Sequence, residues 1–145
     1  MALEQLIAKA ENQQELEDIP IYDTFFDPSH IEFFPERSQL RIPIWIQDYD
    51  LARLKRKVWF IKLMEIPTRL HDLLVYHVQR YFIERQAELD RHLLGMLSYS
   101  PESQCLSLLS NDGVKIAIEV PALRVELIKR QDVRWDWHCH DINCC

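Results

Sequence analysis

Three of the four cysteines and two of the six histidines in this 145-residue chain fall in its last eleven residues, WDWHCHDINCC. If that stretch is extended, alternation puts Val133, Trp135, Trp137 and Cys139 on one face and Arg134, Asp136, His138 and His140 on the other. His138 and His140 could then chelate a single ion, with Asp136 and a returning Cys144 as further donors, a mixed set that suits zinc. Spacing argues against such a centre. Structural zinc sites usually combine two separated knuckles, whereas here every donor lies in one terminal segment and Cys144 is adjacent to Cys145. The simpler expectation is that Cys139 packs beside the tryptophans and the residues beyond it fray. No cofactor is expected, and zinc is the alternative.

Asp23, Asp27, His30, Glu32 and Glu36 bring carboxylates and an imidazole into one proline-rich segment. Paired carboxylates divide acid and base roles only where their surroundings separate the two pKa values, and the sequence shows no such surroundings. Asp27-Pro28-Ser29 reads as a turn or a helix cap. The run Arg53-Leu54-Lys55-Arg56-Lys57 is basic, but on a helix its charges would spread around the circumference. Net charge is −6, with 11 acidic and 3 basic residues in positions 1–50 against 12 and 14 in the remainder. That balance disfavours nucleic acid as the main partner, because phosphate neutralisation needs a clustered positive surface. Arg53, Arg56 and Lys57 are therefore candidates for an acidic partner surface, with accessory nucleic-acid contact as a weaker reading.

Only Gly95 and Gly113 are glycines, where average usage would give roughly ten. Loops that cradle phosphates need several glycines so that backbone N–H groups can approach an anion. Dinucleotide fingerprints, P-loops and serine elbows are accordingly missing. No run approaches the roughly 18 to 20 apolar residues of a membrane span, so no membrane partner is expected. The first eighteen residues lack the basic start and apolar run of a signal peptide, which leads to the expectation of a reducing cytoplasm with free thiols.

The elements that would position these residues read as one α+β domain over 1–145. Leu3, Leu6, Ile7 and Ala10 recur at helical spacing, predicting an N-terminal helix within 1–18. Residues 19–47 hold four prolines among aromatics and then alternate through Leu40, Ile42, Ile44 and Ile46, an edge strand carrying Pro43. A capping Asp48 or Asp50, Pro67 and Gly95 frame a helical pair over 48–95, in which Leu70, Leu74, His77, Val78 and Tyr81 share one side. His71 and His92 then face solvent. From 104 to 139 the period is two, with Ser110-Asn111-Asp112-Gly113 as a hairpin turn, which predicts a four-stranded antiparallel meander with the helices packed on one face. Residues 140–145 are a tail.

No serine or cysteine has the neighbours of a nucleophile. Fifteen aromatics could exceed what one small core absorbs. The sequence therefore points to a non-enzymatic interaction or assembly module, binding a protein partner or a second copy of itself through Phe25, Phe26, Phe33 and Phe34. A zinc-type metal protein is the alternative.

Overall fold

The computed structural model describes residues 5–20, 24–47, 53–58, 61–84 and 92–137, of which 53–58, 61–66 and 132–137 are described by their backbone alone. In chain order the elements are β1 (Gln5–Ala10), α1 (Gln13–Glu17), β2 (Thr24–Phe26), a 3-10 turn at Pro28–His30, β3 (Glu32–Phe34), a second 3-10 turn at Pro35–Arg37, β4 (Gln39–Gln47), β5 (Arg53–Val58), β6 (Ile61–Val75), β7 (Arg80–Glu84), β8 (His92–Ser100), β9 (Cys105–Ser110), β10 (Lys115–Glu119) and β11 (Val125–Trp137). The strands join in one antiparallel sheet ordered β1-β11-β6-β4-β2-β8-β9-β10-β7, with β3 also on β4 and β5 also on β6. The sheet does not close; β1 and β7 are its two ends.

The inward residues of β4 (Leu40, Ile42, Ile44), β6 (Leu73, Val75) and β11 (Val125, Leu127) belong to the same buried cluster as those of β9 (Leu106, Leu108) and β10 (Ile116, Ile118). Both halves of the sheet thus bend over one core, which α1 joins through Leu16. Asn12 caps α1, its Oδ1 accepting from the Glu15 N–H at 2.8 Å, and Gln13 Oε1 accepts from the Tyr99 N–H at 2.6 Å, tying the helix to β8.

The α+β expectation is overturned, and the fold is nearly all antiparallel sheet. Helix at 1–18 shrinks to the five residues of α1, because Gln5–Ala10 pairs along β11 instead. Intrinsic preference is a weak prior beside a full ladder of hydrogen bonds and a buried Ala10. Within 48–95 the described residues form strands β5 to β8 in place of a helical pair, and 48–52, 59–60 and 85–91 lie outside the described residues. Leu70 and Leu74 are four apart, a spacing that satisfies a helix face and, being even, a strand face as well. The long β6 pairs on both sides, with β4 and β11. Pro67 is tolerated there because β4 pairs only from Thr68 onward. Pro43 falls between the stretches of β4 that β3 and β2 cover, so its missing N–H leaves no gap in either ladder.

The Ser110–Gly113 turn does join β9 to β10, closed by the Ser110 N–H on the Val114 carbonyl at 2.9 Å, with Gly113 at φ 98°. The sheet is not a four-stranded meander, however: β10 continues to β7, while β11 lies between β1 and β6. Val125–Trp137 forms one long strand, interrupted by a register shift between Lys129 and Val133. Gly95, expected to end a helix, sits at a register shift of β8. His77 is a left-handed turn residue between β6 and β7. His71 and His92, expected at the surface, are 8% and 1% exposed.

Candidate functional site

Because Leu40, Ile42 and Ile44 point into the core, alternation turns Arg41, Pro43 and Trp45 to the opposite face of β4. Register places Trp45 opposite Leu70 of β6 on one side and Phe25 of β2 on the other. Over this row runs the 3-10 turn. Asp27 caps it by accepting from the Ser29 N–H at 2.9 Å, and β3 then returns to pair Glu32 with Arg41. Between the two walls lies a cleft of about 510 Å³ lined by Ser29, His30, Ile31, Glu32, Arg41, Pro43, Trp45 and Leu70. That volume suits a small molecule or a few side chains of a peptide.

The cleft has an apolar floor and a charged rim. Pro43, Trp45 and Leu70 supply the floor. On the rim the Arg41 guanidinium forms an ion pair with Glu32, while its Nε is buried without an acceptor. His30 stays 65% exposed, with Nε2 3.7 Å from Asp27 Oδ2. Ser29, Asp27 and His30 do not form a nucleophile relay. The Ser29 hydroxyl donates to Asp27 Oδ1 at 2.7 Å, whereas a relay needs the imidazole between hydroxyl and carboxylate. These contacts build the turn and leave the serine unactivated. Asp23 lies outside the described residues.

The four phenylalanines do not form one patch. Alternation sends Phe26, 1% exposed, and half-buried Phe33 toward the core, where Phe33 meets Tyr81 edge-on at 5.8 Å. Phe25 faces the Trp45 side, and Phe34 carries the Arg37 guanidinium at 4.5 Å over its ring. Trp45 is the cleft-lining aromatic that sequence reasoning missed. Its signal was available, since an aromatic between inward-pointing isoleucines must point outward.

Arg53, Arg56 and Lys57 lie on β5 rather than on a helix, opposite Glu65, Leu63 and Lys62 of β6 respectively, with a register shift between Leu54 and Arg56. Asp136 stands opposite Ile66 on β11. His138, His140 and Cys144 lie outside the described residues. Among the described residues no three His, Cys, Asp or Glu side chains gather as a metal site.

A polar network around the buried His92 lies elsewhere. His92 Nδ1 is 2.7 Å from Asp112 Oδ2, the Ser110 hydroxyl donates to Asp112 Oδ1 at 2.5 Å, and the Val114 N–H donates to Ser110 Oγ at 2.8 Å. The Ser110 hydroxyl, and after it His92, hold the Asp112 carboxyl below its ordinary value, with desolvation opposing them. His92 Nε2 is buried and unpartnered. The Asn111 N–H donates to the Leu93 carbonyl at 3.0 Å, and a Cβ on Gly95 would come within 2.3 Å of Asn111 Oδ1. The network therefore latches the hairpin turn onto β8. A smaller cavity of about 260 Å³, lined by Gln5, Arg69, Lys129, Arg130 and Gln131, opens at the irregularity in β11, where Arg130 is committed to Asp72 at 2.8 Å. No protein-family model, curated protein or solved structure matches this chain.

Proposed function

We propose that this protein is a non-enzymatic binding module that docks a segment of a partner protein in the cleft beside Trp45. The observation that carries the reading is the cleft itself, an apolar floor of Pro43, Trp45 and Leu70 under a rim of paired charge. Burying an aromatic anchor within a polar rim is how protein interfaces concentrate their affinity. Arg41 sets orientation: an acceptor on the partner competes with Glu32 for the guanidinium. None of the described helices is long and apolar enough to cross a membrane.

The test is selection of peptides from a displayed random library on the full chain, followed by titration of the winners. Trp45→Ala should weaken them by roughly tenfold or more, the loss of one aromatic anchor. Arg41→Ala should weaken them less and alter which peptides win. Peptides that bind Trp45→Ala as tightly as the parent, or a library that yields none, would remove the reading.

A further inference from the structure

At the far end of the sheet, β7 pairs with β10 on one side, and among the described residues no strand pairs its other side. It also leaves large apolar side chains uncovered. Phe82 is 52% exposed on the outer face, opposite Ala117, and Ile83 is 39% exposed on the core-facing side, opposite buried Ile116. An open edge of this kind templates a further strand unless something covers it.

The sequence of β7, Arg80-Tyr81-Phe82-Ile83-Glu84, is complementary to itself when reversed. We infer that β7 is the interface of a homodimer in which two copies pair antiparallel about a two-fold axis at Phe82. Arg80 of each copy then faces Glu84 of the other, Tyr81 faces Ile83, and the two Phe82 rings meet on the outer face. Arg80 already holds Glu119 through Nε at 2.6 Å, which leaves its terminal N–H groups for the second copy's Glu84. On the inner face, Tyr81 of one copy roofs Ile83 of the other, which extends the core across the seam. The Arg80–Glu84 and Tyr81–Ile83 contacts each occur twice and the Phe82 pair sits on the axis, as an isologous interface requires. Shifting the pairing by one residue would turn Phe82 against the inward row and lose both charge pairs. Five residues per copy make a small interface, so association is weak and depends on concentration.

Two variants at the axis test this. Phe82→Lys and Phe82→Glu each place like charges opposite each other in a self-pair, whereas a mixture of the two places opposite charges there. Sedimentation of the full chain should show a monomer–dimer equilibrium, weakened roughly tenfold in each variant alone and restored when the two are mixed. Trp45→Ala should leave it unchanged, which separates this interface from the peptide cleft. Independently of any variant, hydrogen exchange of the Tyr81 and Ile83 amides, which point away from β10, should slow in the parent protein as concentration rises. A parent that stays monomeric at its solubility limit overturns the proposal. So does a dimer indifferent to charge at residue 82, a mixture that fails to associate, or exchange at β7 that ignores concentration.

Discussion

Asp112 shows how much one side chain can organise. It accepts from Ser110 and partners the enclosed ring of His92, so Asp112→Ala leaves Nδ1 of a buried imidazole without its partner and should cost about 1 to 3 kcal/mol in chemical denaturation. Its pH dependence has a definite sign. The folded-state value lies below the ordinary 3.8, so the stabilisation is fully present above that value and disappears as pH falls through the folded-state value. Melts of parent and Asp112→Ala should differ at neutral pH and converge in strong acid; a gap that widens in acid would contradict the network. Gly113, at φ 98°, is the other residue on which this turn depends. Gly113→Ala should cost about 1 to 3 kcal/mol, because a Cβ disfavours that backbone region, and an unchanged melting temperature would show the turn to be unstrained.

Elements were legible in the sequence where the hydrophobic period was unambiguous. Leu40 to Ile46 and Val114 to Val120 alternate cleanly, and both form strands whose inward residues reach the core. The middle of the chain misled because Leu70, Leu74 and Val78 fit both periods, while Asp48 or Asp50, Pro67 and Gly95 looked like helix punctuation. The deciding contribution was long-range: β6 is flanked by β4 and β11, and no local window contains those partners. The cleft was half legible. The 19–47 segment was singled out for its aromatics, yet the side each ring takes depends on strand register, which placed Trp45 on the cleft and Phe26 in the core. A far-UV circular dichroism spectrum of β type, without the helical double minimum, is expected for the full chain; a strong helical signal would contradict β6.

At the scale of the whole molecule, one core is shared by both halves of an open sheet. Leu73 and Ile116, on opposite halves, are both fully buried, so Leu73→Ala and Ile116→Ala should each cost about 2 to 5 kcal/mol. Unfolding should stay a single transition followed by any probe, and two separated transitions in either variant would mean that the halves fold independently. Among the described residues, the proposed docking surfaces lie outside this core, on the outward face around Trp45 and at the edge of β7. The most direct test of the cleft is the ¹H–¹⁵N spectrum of the full chain titrated with a library-selected peptide. Docking beside Trp45 predicts shifts concentrated at its indole N–H and at the amides of Ile31, Arg41 and Leu70, whereas shifts confined to other surfaces, with the Trp45 indole unmoved, would contradict it.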